Sequence, residues 1–377
     1  MMHRSLLTPL VIAVSLGSLA FAGQAQARDL RMAPGVPPAH PAYDPMFTEF
    51  AERLAEKTDG ELTGNLLGTE VANIGNMRNA LRSGMVEVGL FLPAYFPADL
   101  PEFNLVGDLA LLGTNPHAMG AAMTEYIVTC GECQQELKKL GIVYTSSHAS
   151  DLYRILSTEP ASSLDDLQGL RMRVGGPQYS RWAEAMGISP ASIPVGEQYE
   201  ALSQGVIEGT IASVADIISF RLDDVLNHIT DIQLGTFHST ISHAVGQQAW
   251  DSFSPEQRKA VVEASVEASA AITQRWGYEM ADEAREIAQE SDIEILEPDP
   301  ELLDATEAFL EEDLTYAAEQ AENRYGVEDA ASKIERFQGL VEKWTGIVED
   351  VGEEPEAVAE AMEREIWSQV DFSSYGT

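Results

Sequence analysis

An arginine beside two glycines is a ready receptor for an anion, and this chain has one in Leu170-Arg171-Met172-Arg173-Val174-Gly175-Gly176. Leu170, Met172 and Val174 alternate with Arg171 and Arg173, the two-residue period of a strand, so the arginines share one face and the apolar residues the other. Gly175 and Gly176 carry no side chains to crowd a ligand at the strand end, and the planar fork of Arg173 matches the two oxygens of a carboxylate. A second set of candidates is the loop Phe91-Leu92-Pro93-Ala94-Tyr95-Phe96 after the strand pattern Met85 to Leu92. Open α/β sheets bind ligands beyond the carboxyl ends of their strands, which makes Phe91 and Tyr95 candidate cleft residues, with core packing as the competing role.

Signatures of catalysis are missing. The chain has no G-x-S-x-G elbow, no H-E-x-x-H, no phosphate-cradling loop and no dinucleotide fingerprint after a strand. Its many carboxylates cannot be paired from sequence, so a secreted hydrolase stays as the alternative reading. Cys130 and Cys133, the only cysteines, follow a helix pattern of Met119, Met123, Tyr126 and Ile127. In an oxidising compartment they suit a local disulfide. A redox motif would be expected to open a helix beside a strand, and a zinc site would need further ligands nearby. No metal or cofactor is expected.

The elements that must position Arg173 are legible on both sides of it. Ser163 with Asp166 forms a capping box and Gly169 ends that helical turn. A helix then carries Trp182, Ala185 and Met186 on one side, a second strand follows, Glu197 to Gln204 forms a helix with Tyr199 in its first turn, and a third strand ends near Ala212. Upstream, Met46, Phe47, Phe50, Ala51 and Leu54 recur at helical spacing. Residues 1–27 read as a secretory leader: Arg4, the apolar run Leu6 to Ala22, and the small-residue cleavage site Ala25-Gln26-Ala27. Pro9 and scattered serines leave that run short for a membrane-spanning helix, so the mature protein is expected in the periplasm. About 350 residues remain, enough for two lobes with separate cores. With 61 acidic against 23 basic side chains, a net charge of −38, the chain is unsuited to nucleic acid or an anionic membrane.

In order and spacing these residues resemble the substrate-binding proteins of tripartite ATP-independent periplasmic (TRAP) transporters, the group that includes dicarboxylate and sialic acid binders. The resemblance rests on Ser163, Asp166, Leu167, Gly169, Arg173 and Val174, then Ala183, Gly187 and Pro190, then Pro194, Glu197, Tyr199, Ala201, Leu202, Gly205, Glu208 and Gly209. It implies an α/β fold of two lobes with mixed sheets, hinge strands and a long helix spanning both. Its expected boundaries are 28–151 with 238–275 for lobe I, 152–237 with 276–350 for lobe II, and a helical tail at 351–377. It also implies capture of a small organic anion by lobe closure and delivery to the small and large membrane subunits of a transporter, or, as a variant, to a sensor. Arg173 would hold the carboxylate. Arg154, on what reads as an adjacent strand, is a second candidate, with a hinge salt bridge as its alternative. The comparison adds His40, Glu70 and Tyr199 to the candidates. One departure stands out: the family's carboxylate-binding asparagine is replaced by Ala212, which leaves Ser213 or a water to supply the missing donor and makes a simple C4-dicarboxylate a less secure ligand.

Overall fold

The computed structural model describes residues 27–377, so the expected leader lies, but for Ala27, outside the described residues. Two sheets divide the chain. The first contains β1 (Arg28–Ala33), β2 (Leu62–Leu66), β3 (Val88–Phe91), β4 (Ile142–Val143) and β10 (Ile241–Gly246) in the order β2-β1-β3-β10-β4. The second contains β5 (Arg154–Ser157), β6 (Arg171–Val174), β7 (Ser189–Ser192), β8 (Gly209–Ala212), β9 (His228–Thr230) and β11 (Glu294–Leu296) in the order β11-β9-β5-β8-β6-β7. Each sheet is parallel except around one strand that returns from the other lobe: β10 runs antiparallel to β3 and β4, and β5 antiparallel to β8 and β9.

Local sequence explains the strand that matters most. Both halves of the capping box form, with the Asp166 amide donating to Ser163 Oγ at 3.2 Å and the Ser163 amide donating to Asp166 Oδ2 at 3.0 Å. Gly169, at φ +76°, then turns the chain into β6. On β6 Met172 and Val174 enter the core, Arg171 stays at the rim paired with Glu208, and Arg173 is buried. Arg154 and Arg173 are not on adjacent strands, as the sequence suggests; β8 lies between them, with Ala212 opposite Arg154 and Thr210 opposite Arg173.

Besides the late return of the chain between Gln320 and Ala330, three connections join the lobes. Residues 144–153 and 231–240 cross side by side, tied by the Leu152–Thr236 bridge and by the Tyr153 amide on Gly235 O at 2.8 Å. Both are short of ladder partners, and buried hydroxyls supply the bonds instead: Ser146 Oγ reaches Ser265 Oγ and Ser269 Oγ at 2.7 and 2.6 Å. The third connection is the helix Pro255–Gln274, which continues through a π-turn, Arg275–Glu279, into Met280–Glu290. Its first part packs on Thr48–Lys57 and its last part on Asp216–Ser219, so one helix spans both lobes. At Gly277 it approaches Pro116 so closely that a Cβ would sit 2.9 Å from the proline ring.

The helix Pro300–Gln320 lies on lobe II against Pro177–Ala185, but Ala330–Val351 crosses back to Pro116–Thr129 of lobe I. The expected lobe II segment, 276–350, therefore ends too late. Ile334, Phe337, Trp344 and Val348 form the buried stripe that carries the helix across, with Phe337 edge-on to Tyr126 and Lys343 paired with Glu125 at 2.8 Å. In the tail, Pro355–Glu365 packs on the spanning helix. Cys130 is bonded to Cys133. Cys130 also caps the helix Gly131–Leu140, so the pair opens one helix as well as following another, contrary to the reading from sequence.

Candidate ligand-binding site

Two cavities lie end to end between the lobes. The outer one is an open groove of about 670 Å³ between Phe96 and Asp108 of lobe I and Gly176 and Arg181 of lobe II. The inner one is a chamber of about 30 Å³, room for a water molecule or two. Tyr95 and Gly175 line both. Lobe I contributes His40, Ile74, Leu90, Leu92 and Tyr95 to the chamber; lobe II contributes Arg173, Gly175, Val195 and Asp216; the crossings contribute His148, Tyr153 and Phe237, and the spanning helix Trp276.

Arg173 is the chamber's one cation, and it is 2% exposed. Nε donates to Ile193 O at 2.9 Å and Nη2 to Tyr95 Oη at 3.3 Å, while Nη1 is buried with no partner. A Cβ on Gly175 would come within 3.4 Å of the guanidinium, so the glycine leaves it uncovered on that side. Tyr95 Oη also accepts from the Val195 amide at 3.2 Å, which ties a lobe I hydroxyl to two groups of lobe II. Asp216 is the chamber's one carboxyl group. Its Oδ2 accepts from Gln198 Nε2 at 2.9 Å, and Gln198 is fixed in turn by Thr210. Burial pushes Asp216 up to about 6, opposed by Gln198 and the charge of Arg173.

The remaining walls are neutral and largely aromatic. The Ala42 amide donates to His40 Nδ1 at 3.0 Å, so the neutral ring carries its proton on Nε2. Burial brings His40 down to about 3 and lowers His148 strongly as well. Tyr153 stacks on Phe237 and Tyr179, and His40 stands edge-on to Trp276 at 5.2 Å. The π-turn brings Trp276 to the chamber, and its Nε1 donates to Ser213 Oγ at 3.0 Å.

Of the residues singled out from sequence, the structure brings Arg173, Tyr95 and His40 together in the chamber. Ser213 is one layer behind, holding Trp276. Phe91 is stacked on Phe96 and buried in lobe I, outside the chamber wall. Arg154 is a hinge salt bridge: Nε donates to Asp231 Oδ1 at 2.6 Å and Nη1 to Leu152 O at 2.8 Å, and Arg285 shares the same carboxylate. Tyr199 and Glu70 are exposed and line neither cavity, and Ala212 does not face the chamber either. Sequence reasoning missed Asp216, Trp276, Tyr153, His148 and Phe237. For Trp276 a faint signal exists, a Trp-Gly pair inside a long helical pattern.

At the groove, Arg181 of lobe II donates to Asp108 Oδ2 of lobe I and to Asp313 Oδ1, each at 2.6 Å. Burial nevertheless lifts Asp108 to about 6, against the pull of Arg181.

A chamber closed between two hinged lobes is a solute trap, and the comparisons agree. The model of the bacterial extracellular solute-binding proteins, family 7 (DctP), matches residues 32–320. The chain belongs to this family. A solute-binding protein of Sulfitobacter sp. (strain NAS-14.1) is 24% identical over 69% of this chain and 79% of its own length. The structure of a TRAP periplasmic solute-binding protein of Bordetella bronchiseptica with bound (R)- and (S)-mandelate superposes with a TM-score of 0.73, at 24% identity, over 84% of this chain and 99% of that one. A TRAP solute-binding protein of Rhodoferax ferrireducens with co-purified benzoate gives 0.76 at 17% identity, over 85% of this chain and 100% of that one. The two-lobed fold expected from sequence is therefore that of solved TRAP binding proteins. Among the described residues no helix is long and apolar enough to cross a membrane.

Proposed function

We propose that this family member is the periplasmic receptor of a TRAP transporter, closing its lobes over a small monocarboxylate with an apolar body and passing it to the membrane subunits. The observation that carries the reading is Arg173: a guanidinium buried in the interlobe chamber with Nη1 unpaired and no carboxylate within salt-bridge distance among the described residues. A buried cation in that state is an acceptor short, and a ligand carboxylate is the group that fits it. Arg173 offers a partner to one carboxylate, and among the described residues the chamber holds no second cation for the other carboxylate of a diacid. The aromatic walls suit a flat or branched apolar body, in keeping with the mandelate and benzoate held by the two structural neighbours. The chamber's present volume requires the lobes to part before such a ligand enters.

Thermal unfolding with benzoate, mandelate, phenylacetate and succinate tests this. A true ligand at a hundred times its dissociation constant adds about 2.7 kcal/mol, and it is recovered chemically unchanged. Stabilisation by succinate with none by the monoacids would overturn the assignment.

A further inference from the structure

We infer that Asp216 is a second anchor in the chamber, and that the solute carries an O–H or N–H donor on the carbon next to its carboxylate. The inference rests on the proposed reading of Arg173 as the carboxylate's partner. Asp216 is 2% exposed and lines the same chamber as Arg173, yet the two form no ion pair. Its Oδ2 is engaged by Gln198, and Oδ1 has no hydrogen-bond partner among the described residues. The charged groups acting on it are Arg173, which favours its ionised form, and Asp151, whose own carboxyl is raised by burial and which repels it.

A plain monoacid seated on Arg173 would cancel that cation and leave Asp216 facing a second carboxylate in a dry space, where one of the two would have to take up a proton. A donor on the ligand removes the conflict, because Oδ1 gains the bond it lacks. Arg173 and Asp216 line the same inner chamber, so a solute that keeps its carboxylate on Arg173 reaches Asp216 through a donor carried close to that carboxylate. The class indicated is therefore the 2-hydroxy and 2-amino acids with an apolar side chain. His40 and His148, held neutral by burial, add no competing charge.

Titration calorimetry on the full mature chain decides the matter with three acids that share a phenyl ring: phenylacetate, mandelate, which adds a hydroxyl, and phenylglycine, which adds an ammonium. The expected result is that mandelate or phenylglycine binds at least about tenfold tighter than phenylacetate, the effect of a hydrogen bond to a charged group, and that Asp216→Asn brings the ratio close to one. Whichever of the two is preferred identifies the donor as hydroxyl or ammonium. Equal affinities in the wild type, or a preference unchanged in Asp216→Asn, would overturn the inference while leaving the carboxylate reading in place. Binding of none of the three would overturn both. The wild-type ratio is decisive even if the variant does not fold.

Discussion

Replacing Arg173 with methionine should separate binding from stability. In the closed molecule the guanidinium has two hydrogen bonds, one of them long, and one bare buried nitrogen. Losing the bond to Ile193 O costs about 1.5–3 kcal/mol as a hydrogen bond to a charged group, and removing an unsatisfied buried donor returns about 1–3 kcal/mol. The two nearly cancel, and methionine keeps an unbranched stem of similar length. The ligand-free variant should thus match the wild type to within about 1 kcal/mol in urea unfolding, although it alters a side chain that is 98% buried. Binding behaves differently. A carboxylate placed in the variant's chamber is a buried charge without a partner, a loss of about 3–5 kcal/mol, or two to nearly four powers of ten in affinity. Calorimetry with the tightest monoacid reads the second quantity. Near-normal binding would refute the role of Arg173, and a loss of affinity matched by an equal loss of ligand-free stability would show that it is a structural residue.

Two further outcomes follow from the same geometry. Arg154→Met removes a nearly buried guanidinium from Asp231, but Arg285 still holds that carboxylate; stability should fall by about 1–2 kcal/mol while affinity changes less than about threefold, and a large loss of affinity would return Arg154 to the binding site. Asp108→Asn concerns pH. Because burial holds Asp108 at about 6 in the folded chain, against about 3.9 when unfolded, the folded form binds more protons between those values, and this residue's contribution to stability declines as pH rises from about 4 to 6, by about 3 kcal/mol in all. Asp151, Asp216 and Glu136 are raised in the same direction, so the measurement is the difference between wild type and variant in denaturant midpoints across that range. A constant difference would contradict it.

What the sequence disclosed about the site was local. The alternation around Arg173, the glycine pair after it and the capping box before it each act within a few residues, and β6 forms where they place it. Tyr95 and His40 were legible for a related reason: both follow strands of lobe I, whose ends face the cleft. The errors were non-local. Arg154 reads as a ligand arginine until Asp231, 77 positions away, is seen beside it. Phe91 reads as a cleft residue until its stacking on Phe96 shows it turned inward. Trp276 enters the chamber from a π-turn, one extra residue per turn in a helix whose apolar period otherwise looks continuous, so no α-helical count assigns it to the right face. The boundary at 350 failed because the stripe Ile334, Phe337, Trp344 and Val348 says that the helix is buried, not against which lobe.

The two charged groups of the chamber also explain how a solute would govern shape. Among the described residues Arg173 has an unpaired nitrogen and Asp216 a hydrogen bond on one oxygen only; against these stand interlobe contacts such as Tyr95 on Val195 and Arg181 on Asp108. Opening would rehydrate both charged groups, and the bend would fall on the side-by-side crossings, whose ties to the spanning helix are hydroxyl–hydroxyl hydrogen bonds. Driving such an equilibrium from one part closed in a hundred to ninety-nine takes about 5.5 kcal/mol of differential binding. A carboxylate meeting Arg173 supplies about 3–5 kcal/mol, and a donor meeting Asp216 about 1.5–3 kcal/mol. Either alone falls short of the requirement, and the two together, at about 4.5–8 kcal/mol, bracket it, so a solute with only one of the groups should leave a larger open population than one with both, visible as a larger radius of gyration in solution scattering at saturating ligand.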